Sequence, residues 1–156
     1  MNRADLQAAL EHPNVRAFLK AIRLGEGTSD EAGYYRIVGG QMFTDDSQHP
    51  NVRVRIERYK VWSTAAGAYQ IIMPTWRGLL KQYDFQDFSP DSQDEAAVAL
   101  IAGRRALKDV REGRFKQAVE KCSEEWASLP GSTAGQRTEA FEDVLAVYLE
   151  AGGTVA

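Results

Sequence analysis

The feature that most constrains this chain is a change of hydrophobic rhythm along its length. Val15, Phe18, Leu19 and Ile22 recur at i, i+3, i+4 and i+7, the apolar stripe of an amphipathic helix. Between Gly33 and about Ile72 that rhythm gives way to β-branched and aromatic residues alternating with glycines and polar residues. From Pro74 onward the helical spacing returns. Helices at both ends with a small, irregular β lobe between them predict a mostly helical α+β domain, in which such a lobe borders a cleft suited to a ligand.

Start and stop signals divide the helical stretches. The predicted helices cover 2–11, 13 to Gly25 or shortly after, 74–83, 90–113, 115–122 and 138–153. Pro13 and Pro74 open two of them, Ser89-Pro90 caps the long one, and Gly152-Gly153 closes the last. In the middle, "YYRIV" (34–38), "VRVRIE" (52–57) and "AYQII" (68–72) read as strand pieces. No repeat or linker divides the 156 residues, so a single domain over 1–156 is expected, with length enough for a real core.

Composition excludes several functions. Hydrophobic residues at 44% and charged residues at 26% fit a globular chain rather than a disordered one. A net charge of -3 argues against a generic nucleic-acid binder, although "NVRVRIERYK" (51–60) is locally basic. Cys122 has no partner for an intrachain disulfide and reads as a core residue. With His12 and His49 as the only histidines, no metal site or cofactor is expected. The start carries no signal-peptide pattern, and no stretch approaches the roughly 20 apolar residues that span a bilayer.

Three stretches carry chemistry. "GEG" (25–27) sets Glu26 at a helix end, where the negative pole of the dipole disfavours its charged form and flanking glycines admit a bulky ligand. A general acid at neutral pH needs such a raised pKa. Alone, the same three residues also describe a plain cap with a solvated carboxylate. "STAAGAYQI" offers Ser63 and Thr64 hydroxyls, Gly67, then Tyr69 and Gln70, groups that grip sugar hydroxyls and acetamides, or else a turn feeding a strand. "VGGQMFTDDSQHP" puts Asp45, Asp46 and His49 on a loop that also reads as a polar hairpin tip. Among the aromatics, Trp126 reads as core, while Trp76 and Phe43 could line a cleft.

Taken in order, "GEGT", "GYYRIVGGQMFTDDSQHP", "STAAGAYQI", "SPDSQDEAAVAL" and "CSEEWASLPG" resemble the lambda-type endolysins over about residues 15 to 155. That family consists of lytic transglycosylases with a lysozyme-like fold, which cut peptidoglycan between N-acetylmuramic acid and N-acetylglucosamine. The resemblance implies Glu26 as the catalytic acid. It implies Tyr34, Asp45, His49, Ser63, Thr64, Gly67, Tyr69 and Gln70 as substrate-binding residues in the 33–72 lobe. A two-carboxylate glycosidase would need its pair roughly 5–5.5 Å apart for retention or 6.5–9.5 Å for inversion. The family instead uses the muramic acid C6 hydroxyl as nucleophile, which leaves 1,6-anhydro ends. A water-using muramidase with Asp45 as base, and a non-catalytic wall-binding or virion module, are the competing readings.

The resemblance further implies a monomer made in the host cytoplasm and acting on glycan strands in the periplasm. It would bind no nucleic acid, insert stably in no membrane, and depend on a separate holin-type protein for release. Two departures from the family bear on sugar subsites: the loop 29–32 is shorter, and Ala134 stands where a tyrosine is usual.

Overall fold

The computed structural model describes residues 1–132 and 138–156. Ala134 therefore lies outside the described residues. The chain forms two compact units, one made of Met1–Gly27 with Asp94–Ala156 and the other of Thr28–Gln93.

The first unit is built around α2 (Pro13–Glu26). α1 (Arg3–Leu10) precedes it, started by a reciprocal capping box in which the Asn2 side chain accepts from the Asp5 amide and Asp5 accepts from that of Asn2. His12 Nδ1 accepts from the Asn14 amide to cap α2, and Pro13 occupies the first turn, where no backbone donor is needed. The stripe Val15, Phe18, Leu19 and Ile22 is buried as predicted. It packs against α5 (Leu107–Arg111) and α7 (Phe141–Glu150). Phe115, opening α6 (Phe115–Cys122), meets Phe18, Phe141 and Tyr148 at ring-centroid separations of 5.9, 5.7 and 4.4 Å. Asn14 ties two distant segments together, donating to the Arg111 carbonyl and accepting from the Thr154 amide.

The predicted helix over 90–113 is divided. α4 (Pro90–Gly103) ends in a Schellman motif, with the Ala106 amide on the Ile101 carbonyl, the Arg105 amide on that of Ala102, and Arg105 left-handed at φ 58°. A non-glycine residue in that conformation costs roughly 1–2 kcal/mol, offset by the capping hydrogen bonds and by the burial of Ala106 and Leu107 beyond it. Nothing in the arginine-rich sequence marks it. Cys122 is fully buried, as expected, and burial pushes its thiol up to about 12.

The second unit is less regular than predicted. Only β1 (Val54–Ile56) survives from "VRVRIE", paired antiparallel with β2 (Val61–Ser63), a strand the alternation did not reveal. "YYRIV" instead closes a 3-10 turn (Glu31–Tyr35) and continues as single bridges from Arg36 to Met42 and from Ile37 to Ala66. "AYQII" is a turn closed by the Ala66–Ile71 bridge, with Gly67 at φ 83° and Gln70 at φ 48°. Outside the β1–β2 hairpin, close backbone approaches rather than ladders decide the path of the chain. Gly33 shows this, since a Cβ there would stand 2.1 Å from the Thr28 carbonyl oxygen. α3 (Met73–Gln82) and an aromatic core complete the unit. Trp76 stacks on Phe85 at 5.2 Å and meets Phe88 edge-on at 4.9 Å, while Phe43 lies 6.0 Å from Phe88. Trp76 is thus core rather than lining, as Trp126 is in the first unit.

Candidate functional site

α2 ends at the residue the sequence singled out. Glu26 is its last helical position, and Gly27 follows in the left-handed region at φ 70°, which terminates the helix. Burial raises the Glu26 pKa from 4.5 to about 7, opposed only in part by a hydrogen bond from the Ser128 hydroxyl to Oε2 at 3.2 Å. Near neutrality this carboxyl holds a proton in about half of the molecules, so it can both give and take one.

Gly25 lacks a side chain for a reason other than ligand clearance. A Cβ there would lie 2.4 Å from Ser128 Oγ and 2.9 Å from Ser128 Cβ. Ser128 fills that space, so the expected opening at Gly25 is corrected to internal packing that brings the hydroxyl onto Glu26. Ser128 itself is buried, and its carbonyl accepts from the Glu139 amide. Sequence reasoning missed it because the two partners stand 102 positions apart.

Ser128→Ala removes a bond that favours the ionised carboxylate. The alkaline limb of the rate–pH profile, near pH 7 in the parent, is therefore expected to move to higher pH. A limb that stays in place or moves down would show that Ser128 does not tune the acid.

The second unit sorts the remaining residues by what their polar atoms already do. Ser63 Oγ accepts from the Ala65 amide at 3.1 Å, and Thr64 Oγ1 accepts from the Met73 amide at 2.8 Å. Each hydroxyl is held in place with its own proton left to donate. Gln70 gives its amide hydrogens to the Arg36 and Gly67 carbonyls, which fixes the direction of its Oε1. Asp45 is exposed, and its carboxylate accepts from Ser47, which lowers its pKa and keeps it ionised. Tyr34 is half-buried, with its backbone carbonyl accepting from Gln93.

Three of the predicted binding residues are occupied by the fold. His49 is buried, with Nε2 at 2.7 Å from the Ile71 carbonyl oxygen and Nδ1 accepting from the Asn51 amide. Desolvation lowers its pKa, and the ring packs 4.8 Å from Phe88. Tyr69 is 2% exposed. Gly67 is required by its positive φ and by Gln93, whose Oε1 would stand 2.4 Å from a Cβ. Asp46 accepts from the Tyr35 hydroxyl at 2.7 Å, a structural role matching its reading as part of a polar tip. Among the described residues, no group of three or more His, Cys, Asp or Glu side chains could hold a metal ion.

Gln93 is a second residue that the sequence left unmarked. Fully buried, it accepts from the Ala68 amide at 2.9 Å and donates to the Tyr34 and Phe88 carbonyls at 3.0 and 2.9 Å. It thereby fixes the loops that carry Tyr34 and Gln70.

Comparison with known proteins places these features in a family. The family model for endolysins matches residues 16–155. The endolysin of Escherichia phage lambda is 42% identical over 146 residues, covering 90% of this chain and 92% of that one. The endolysin of Escherichia phage P2 is 40% identical over 159 residues, covering 93% and 96%. Among solved structures, bacteriophage lambda lysozyme complexed with a chitohexasaccharide matches with a TM-score of 0.86 at 40% identity, covering 92% of this chain and 97% of that one. A second structure, lysozyme from bacteriophage lambda, matches with a TM-score of 0.82. The fold is lysozyme-like, as the ordered motifs implied.

Proposed function

Because the chain belongs to the endolysin family and is a peptidoglycan-cleaving enzyme of lysozyme-like fold, we propose that it acts as a lytic transglycosylase with Glu26 as its acid and base. One observation carries this reading: the Glu26 carboxyl stands at a helix end with its pKa raised to about 7, so that it can serve both half-reactions.

Glu26 protonates the oxygen of the bond between N-acetylmuramic acid and N-acetylglucosamine. The C1–O bond breaks as positive charge develops on the muramic ring. The resulting carboxylate then takes the proton of the C6 hydroxyl while that oxygen closes on C1. The 1,6-anhydro end forms, Glu26 regains its proton, and no water is consumed.

Ser63, Thr64, Gln70, Tyr34 and Asp45 are proposed to bind sugar. The two hydroxyls donate to sugar oxygens and Gln70 Oε1 accepts from an acetamide or hydroxyl. Binding of a chitohexasaccharide by the lambda protein supports a glycan ligand. His49, Gly67 and Tyr69 contribute by holding this surface in shape. On this reading the enzyme is a monomer made in the host cytoplasm. It reaches the periplasmic wall through a membrane opened by a separate holin-type protein.

Mass analysis of fragments from purified peptidoglycan tests the reaction. Anhydromuramic ends are the expected product. Reducing ends that carry an added water would overturn the transglycosylase reading in favour of a hydrolase with Asp45 as base.

A further inference from the structure

The locally basic stretch flagged in the sequence has a defined architecture that the proposed chemistry leaves unused. Residues 51–62 carry Arg53, Arg55, Arg58 and Lys60 against the single carboxylate of Glu57, a positive segment on a chain of net charge -3. Trp62 lies directly across the hairpin from Arg55 and is 55% exposed, which is unusual for so large an apolar ring. The Arg53 guanidinium stands 5.0 Å from the centre of that ring and that of Arg55 stands 5.9 Å away. Both arginines also border a shallow groove of about 340 Å³ floored by Val38, Val52 and Val54. Arg55 has one competing partner, Glu57 at 3.4 Å, in an exposed pair worth little.

A guanidinium within about 6 Å of an indole face gains cation–π attraction without spending its N–H donors, which remain able to match a carboxylate. Two such guanidinium forks beside a groove lined by valines and by Gln41 suit an extended ligand with a short backbone and several carboxylates. The arginines covering Trp62 make a poor membrane anchor of it, because insertion would have to carry both charges toward the acyl region.

We propose that this hairpin binds the free carboxylates of the peptide stems attached to muramic acid, which makes stem-bearing glycan the preferred substrate over bare glycan. The proposal rests on peptidoglycan as substrate and is independent of whether cleavage is by transglycosylation or by water. β2 runs directly into Ser63 and Thr64, so the stem-binding face is continuous in the chain with the hydroxyls assigned to sugar.

The test compares the full chain with Arg53→Gln/Arg55→Gln on two substrates: intact sacculi, and the same glycan strands with stems removed by an amidase. The double variant is expected to raise KM on sacculi roughly five- to tenfold, with kcat and the activity on stripped strands unchanged. Added salt should weaken the parent on sacculi and have less effect on the variant. Arg53→Lys/Arg55→Lys should recover only part of the loss, because an ammonium cannot form the fork.

Equal losses on both substrates, or no loss on either, would overturn the proposal. So would a variant that keeps its KM on sacculi but loses binding to phosphatidylglycerol vesicles, which would reassign the face to lipid. The end-group chemistry of the products is read separately, so a failed transglycosylase reading remains distinguishable from a failed stem-binding one.

Discussion

Glutamine at position 26 is expected to lower peptidoglycan cleavage roughly 10²–10⁴-fold, the usual contribution of a positioned general acid. The substitution keeps the shape of the side chain and an oxygen for the Ser128 hydroxyl, yet it can neither release nor accept the catalytic proton. Stability should move the other way, which separates a chemical defect from a folding one.

The folded pKa of about 7 lies above the ordinary 4.5. As pH rises between those values the unfolded chain gives up this proton while the folded one retains it, so folding stability falls across that window. The loss levels off above the folded pKa. The penalty for the ionised carboxylate then reaches about 3 kcal/mol as an upper figure. Glu26→Gln should therefore unfold at a higher temperature than the parent at pH 8 and at about the same temperature at pH 4. Turnover of purified peptidoglycan and thermal unfolding at the two pH values check both halves. Full activity in the variant would end the assignment of Glu26, and a stability gain independent of pH would contradict its raised pKa.

The second large effect is structural. Gln93→Leu keeps approximate volume but strips hydrogen-bond partners from the Ala68 amide and the Tyr34 and Phe88 carbonyls. Each unpaired backbone group costs about 1–3 kcal/mol if it stays buried. With partial relaxation the loss should total about 3–6 kcal/mol, or roughly 10 °C or more in Tm for a chain of this size. Activity at low temperature should fall as well, because the loops holding Tyr34 and Gln70 lose their common anchor. Calorimetry of the variant is decisive: a Tm within roughly 3 °C of the parent would mean that Gln93 is not the anchor.

Much of the fold was legible because it rests on local rules. The α2 stripe, Pro13 at its start, an end at or shortly after Gly25 and the whole of α6 follow from periodicity and caps that a few neighbouring residues specify. The middle of the chain was harder. "AYQII" alternates like a strand, but Gly67 and Gln70 take positive φ so that the turn can close on Gln93, a contact between distant residues. The helix break at Arg105 was invisible for the same reason, since the burial of Ala106 and Leu107 helps to offset the cost of a left-handed arginine. In the second unit, His49 and Gly67 looked like ligand-facing residues because loop polarity cannot tell a solvated group from one already hydrogen-bonded to the backbone.

The sequence by itself determined the α+β class, the position of Glu26 at a helix end and, through five ordered motifs, the endolysin family. Those properties lie in spacing and order, which the chain carries without folding. Only the tertiary structure decided that Glu26 titrates near 7, that Ser128 is its partner, that Gln93 anchors the second unit, and that Trp62 stays exposed beneath two arginines. Each of these depends on which groups water reaches, and segments far apart in sequence set that by where they pack.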